Sequence, residues 1–228
     1  MWAIVGYLVF HFSLEMGLYQ LTLFVTYLRP TSLLKLYASD VVAPDPSNAK
    51  SCTVLIIAPF EKEVSTKSGY YDETVLMDGD VAPWLGRALE ILAKQKLEQA
   101  KKTLGAEFDA EQVNLWSFGA KAFLDAWREA VDAMQLPGLD TPYQARHGGA
   151  SRDMLHRSRT VPEVVLRGFW ANASSMRTCH KPGRIQQLVK SANPAVVAFG
   201  SDVQRNFVGY NRDGSFLRPP GGGARSES

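Results

Sequence analysis

The chain of 228 residues reads as an α+β protein, mostly α, with one small antiparallel sheet set among the helices. Two observations predict this. Apolar residues recur at helical spacing through most of the long segments, as at Leu21, Phe24, Val25 and Leu28, or Leu85, Leu89 and Leu92. Only one β-branched run, "CTVLIIAPF", is followed by a turn signal and a second short run, and no strands alternate with helices as a doubly wound sheet requires. Apolar residues at 46% and charged residues at 21% are ordinary for a globular domain.

The elements follow in order. Met1 to Leu28 is strongly apolar with Glu15 as its one formal charge. Its length and hydropathy permit a membrane span, but Glu15 lies mid-segment with His11, Ser13 and Gln20 around it, and no basic residue precedes it as a signal peptide requires. One or two buried helices are expected there, with a membrane anchor at residues 1–28 as the alternative. The start of the chain inside such a segment, without a polar lead, suggests a fragment of a longer protein. Pro30 suits the first turn of a short helix ending before "ASD". Ser68-Gly69 marks the turn of a hairpin whose second strand is Glu73 to Met77. Asp80 and Pro83 are placed to cap and open the next helix. Another helix carries Phe123, Trp127, Val131 and Met134 and closes at Pro137-Gly138. Thr141 and Pro142 introduce a helix holding "YQARHGGASRDMLHRS", and Pro162 a shorter one. Residues 1–191 thus form one domain, and 192–228 an irregular extension ending in the tail "RPPGGGARSES".

The net charge of +2 conceals an uneven distribution. Between Tyr143 and Lys190 there are nine Lys or Arg against two acids, so the rest of the chain is net acidic. A solvated basic face and a phosphate-binding surface both explain such a block. Arg152, Arg157, Arg159, Arg177, Lys181 and Arg184 are its DNA-binding candidates. Two cysteines, Cys52 and Cys179, make no disulfide framework, which fits a reducing compartment. No G-x-S-x-G occurs, "PPGGGARS" is no Walker loop, and His147, His156, Cys179 and His180 lack the paired spacing of a structural zinc site. No metal or cofactor is expected. Gly148-Gly149 inside a helix costs about 1 kcal/mol per glycine relative to alanine. Something must approach closely there: another helix, or a phosphodiester backbone.

Four stretches together carry a family resemblance. "FVTYLRPTSLLKLYASDV" resembles the first motif box of the tyrosine recombinases, the phage-integrase family. "TPYQARHGGAS" resembles the start of their second box and "LRGFWANASSMRTCHKPGR" its end, while "STKSGYYDETVLMD" is similar to the hairpin that bears their lysine. The likeness runs from about Leu14 to Lys190, in the family's order. It implies a tyrosine-recombinase-like catalytic domain without the family's N-terminal DNA-clamping domain. It also implies double-stranded DNA as partner, possible homo-oligomers on DNA, and an intracellular location wherever the DNA is, the nucleus included.

By this resemblance Arg29 and Arg146 hold the non-bridging oxygens of the scissile phosphate, by charge-assisted hydrogen bonds that orient and stabilise together. Lys67 is the general acid at the leaving oxygen. Trp170 donates to, or packs beside, the phosphate. Tyr143 takes the place of a histidine, and His147 supports the site. Three departures accompany the likeness. Ser32 stands where an acid would orient Arg29, Tyr143 replaces His, and Cys179 occupies the place of the nucleophilic tyrosine. A thiol is shorter by a ring, and Tyr210 lies too far along to replace it. The implied function is DNA recombination or integration by a strand transferase with impaired cleavage. The alternatives are a non-catalytic DNA-binding module on the same fold, or a membrane-associated protein.

Overall fold

The computed structural model describes residues 1–58, 71, 73–136, 138–172, 174 and 182–213. It is mostly helical with one three-stranded antiparallel sheet. The apolar N-terminal run folds as α1 (Trp2–His11) and α2 (Leu14–Thr26), two helices packed on each other. Ser13 breaks the run by capping α2, its hydroxyl accepting from the Met16 amide at 3.2 Å. The charge of Glu15 is matched inside the protein. Lys96 approaches it at 2.7 Å and the Ser117 amide donates to it at 2.8 Å. No helix among the described residues is long and apolar enough to cross a membrane, and the segment expected as an alternative anchor supplies core residues instead.

α2 ends because Arg29 precedes Pro30, which disfavours helical backbone at the residue before it. Tyr27 turns left-handed at φ 57°, Arg29 is extended, and α3 (Pro30–Leu34) begins. Beyond a short 3-10 turn at Ala38–Asp40 come β1 (Val41–Val42), β2 (Val54–Ile57) and β3 (Glu73–Leu76), in the order β1-β2-β3. Leu55 pairs with Val75, and Leu55, Ile57 and Val75 turn to the core as strand periodicity requires. The turn joining β2 to β3, with Ser68-Gly69 and Lys67, lies outside the described residues.

α4 (Leu85–Leu104) starts later than the Asp80 cap predicts. The Asp80 carboxylate is taken by Arg152 at 2.8 Å, and Ala82–Leu85 forms a separate turn. α5 (Ala120–Ala133) buries Phe123, Ala126, Trp127 and Ala130 on one face. α6 (Gln144–His156) and α7 (Val161–Arg167) follow, the latter opened by a reciprocal cap between Thr160 and Glu163. α8 spans Pro182–Ser191 and α9 spans Pro194–Asp213.

Helix α9 corrects the expected boundary at residue 191. Residues 194–213 are no irregular extension. Val196, Phe199, Val203 and Phe207 recur at helical spacing and are buried in the main core against α1. Gly200 weakens a helical reading of the sequence. In the fold it brings α9 within close reach of the Ala3 backbone, where a Cβ would lie 3.0 Å from the amide nitrogen.

Candidate functional site

A groove of about 1370 Å³ runs between β3 and α7. Arg29, held extended by Pro30, lines it beside Trp170, Phe169 and the β3 residues Glu73 to Leu76. Arg159 and Arg167 also face it, as do the acids Asp78 and Glu163. Three arginines thus meet three carboxylates, so the groove wall is mixed in sign. Leu166, 76% exposed, and Val161 add an apolar lip.

Arg146 stands just behind this wall. It lies on α6, 1% exposed, and its Nη2 donates to the Gly168 carbonyl at 2.6 Å. Its guanidinium stacks over the Trp170 ring at 4.2 Å and approaches the Tyr143 ring at 5.8 Å. Tyr143, at the α6 N-cap, is exposed and meets His147 edge-on at 5.0 Å. The chain brings Trp170 back under α6 through Phe169 at φ 51°, and the Trp170 amide closes the turn on Val165. Gly168 is required there, because a Cβ would overlap the indole. The second glycine of the α6 pair is also explained. A Cβ on Gly149 would strike the carbonyl of Phe24, so the close approach is by helix α2 and not by a nucleic acid.

The remaining basic candidates divide. Arg157 is exposed at the left-handed end of α6. Arg152 and Arg159 do not form the open basic face expected of them. Arg152 pairs with Asp80 and Asp153, each at 2.8 Å, and Arg159 with Asp78 at 2.7 Å and Asp153 at 3.3 Å. Arg167, buried on α7, reaches the same Asp78 at 2.9 Å and donates through Nε to the Val25 carbonyl at 3.1 Å. The Tyr27 hydroxyl donates to Asp153. These groups close a ring that ties the end of α2, the segment after β3, α6 and α7 together. Partly buried charges of opposite sign hold one another because neither regains full hydration apart.

Electrostatics follow the burial. Burial, then the hydrogen bond to Asp153 and its charge, push the Tyr27 hydroxyl far above the ordinary phenol value. The Arg152 hydrogen bond holds Asp80 below the usual carboxylate range. Burial, then the neighbouring Arg159 charge, lowers Arg167 despite Asp78.

Asp78, Asp153, Tyr27 and Arg167 were not singled out by sequence, and Asp80 was read only as a helix cap. Asp78 and Asp80 flank Gly79 just after a strand, and nothing local says that their partners lie more than seventy residues on. Lys67, Arg177, Cys179 and Lys181 fall outside the described residues, as does the Arg184 side chain. Among the described residues no three His, Cys, Asp or Glu side chains are grouped to hold a metal ion. Cys52 is a half-buried free thiol whose pKa is raised by burial.

No family model, curated protein or solved structure matches the chain.

Proposed function

We propose that this chain is a DNA strand-transferase domain of the tyrosine-recombinase type, binding duplex DNA through the groove beside β3, with cleavage impaired because Cys179 replaces the nucleophile. One observation carries the reading. Arg29 and Trp170, 141 residues apart in sequence, line one groove, and Arg146 stacks directly on that Trp170. β3, the strand that follows the Lys67 hairpin, forms another wall of the same groove. Residues of all four resembling stretches therefore meet at one place, three lining the groove and Arg146 behind it.

Chemically, two guanidinium groups near one anionic centre supply the fixed positive charge that a pentavalent phosphorane needs. No cofactor is needed for such a step. A tyrosine would attack phosphorus, expel the 5′ oxygen and retain the bond as a phosphotyrosine. The Cys179 thiol is too short for the same approach.

A second reading, a DNA-binding module without chemistry, is favoured by the mixed sign of the groove and by the cover that Trp170 places over Arg146. Duplex binding titrated against salt tests the DNA surface that both readings share. The logarithm of affinity should fall steeply and linearly with the logarithm of salt concentration. No binding at low salt overturns both. A nicked trapping duplex then separates them from active thiol chemistry. The unmodified chain should form no denaturation-resistant adduct. An adduct that vanishes in Cys179→Ser would show the thiol to be the nucleophile.

A further inference from the structure

Between α1, α2, α6 and the α8–α9 pair lies a cavity of about 400 Å³, which shares no lining residue with the groove beside β3. Its walls are mostly apolar: Trp2 and Ile4 on α1, Phe24 on α2, Trp127 on α5 and Leu188 on α8. Gly148 keeps the α6 wall low, since a Cβ there would stand 3.4 Å from the Phe24 ring. Val189 and Val197 line the cavity and are exposed, so it opens to solvent at the α8–α9 turn. Spaces of about 300–1,000 Å³ with apolar and aromatic walls are those that enclose small molecules.

One polar side chain interrupts this lining without a protein partner. Gln20 stands one turn before Phe24 on the same face of α2 and is 1% exposed. Its Oε1 is buried with no hydrogen-bond partner among the described residues. Other polar groups of the wall are already engaged. Trp127 Nε1 donates to the Leu139 carbonyl at 3.3 Å and Gln144 Nε2 to the Gly138 carbonyl at 2.8 Å. Arg152 is held by Asp80 and Asp153. An unpaired buried amide forfeits the hydration it has in the unfolded chain, and a methionine would fill the same space without that loss. The Gln20 side chain makes physical sense as the hydrogen-bonding end of an otherwise apolar pocket.

We infer that this cavity binds a small neutral molecule, apolar over most of its surface and carrying one hydroxyl that donates to Gln20. A charged head is disfavoured, because Gln20 is an uncharged amide and Arg152 already has two carboxylates. Rotation of the terminal amide presents Oε1 to the hydroxyl. The carbon atoms behind the hydroxyl cover Trp2 and Phe24 from water. Such a ligand ties α8 and α9 to the body of the fold. The inference does not depend on DNA binding.

Two probes that differ by the hydroxyl alone, para-hexylphenol and hexylbenzene, test it by calorimetry on the full chain. The phenol should bind at least about five-fold more tightly than hexylbenzene. Gln20→Met keeps the length of the side chain and removes the amide, and should bring the two affinities within about two-fold of each other. A second measurement needs no variant. Amide hydrogen exchange should slow along α8, α9 and α1 when the phenol binds the wild-type chain. Failure of the wild-type chain to bind either probe overturns the inference, as does equal affinity for the two. A preference that survives in Gln20→Met puts the hydroxyl elsewhere and overturns it too. So does protection confined to other helices, or self-association of the chain that excludes both probes. If duplex DNA fails to bind, the proposed function falls and these measurements keep their force.

Discussion

Where α1 meets α9 the contact is apolar: Ala3, Val196, Phe199 and Val203 are buried, and Gly6 leaves room for the Phe199 ring. Where α2, α6, α7 and the end of β3 meet, the binding groups are three arginines, three aspartates and the Tyr27 hydroxyl. The first region has no orientation to lose except shape. The second fixes direction, since each guanidinium meets its carboxylates or carbonyl at defined edges. The groove beside β3 is framed by the second kind of contact, through Asp78, Arg159 and Arg167. The difference also reverses one inference from charge. A cluster of arginines in sequence became, in space, a set of struts.

The two regions should respond differently to mutation and to pH. The largest effect belongs to the apolar one. Phe199→Ala should cost about 4 kcal/mol in denaturant unfolding, by lost burial and the cavity left behind, with little dependence on pH. A cost below about 1 kcal/mol would mean that α9 is not anchored on α1. In the polar region Asp153→Ala removes a carboxylate shared by Arg152, Arg159 and Tyr27, and should cost about 3 kcal/mol. Hydrogen exchange should show that loss first at the α2–α6–α7 junction. Uniform loss over the whole chain would break the distinction between the regions.

Smaller effects sharpen it through pH. The Asp80 carboxyl has a depressed folded value, so its stabilisation is present above the unfolded value of about 4 and is lost as pH falls through the folded one. Asp80→Asn should flatten that acid limb by less than about 1 kcal/mol, since the side chain is more than half exposed. Tyr27 has the opposite sign. Its raised value makes the stabilisation complete below about pH 10 and lost as pH climbs towards the folded value, and Tyr27→Phe should remove this alkaline limb. The smallest effect is expected at the exposed Lys121–Asp125 pair on α5. Lys121→Ala should leave the denaturation midpoint essentially unchanged, and a shift as large as that of Asp153→Ala would show that surface pairs matter here as much as the inner ring.

How much of this could be read in advance depended on the range of the forces involved. Helices α2, α5 and α7 were legible because their apolar spacing and caps lie within a few residues of each other. The β2–β3 pairing was legible from two short runs and a turn between them. α9 was not, because its two glycines weaken the local signal and its helical state is decided by α1, nearly two hundred residues away. Arg29, Trp170 and Arg146 were named from the sequence by residue type, and the fold brings them near one another. That Trp170 would cover Arg146, and that Arg152 and Arg159 would be claimed by Asp78, Asp80 and Asp153, depends on contacts between distant segments, which leave no periodic trace.

The seating of α9 against α1 has a consequence during synthesis. Ala3 and Gly6 leave the ribosome nearly two hundred residues before Val196, Phe199 and Val203. At about 5–20 residues per second, that is a wait of about 10–40 s. Throughout it, the apolar flank of the first helix is made without the partner that covers it. The nascent chain must therefore keep that flank on provisional neighbours, or on a chaperone, until α9 emerges.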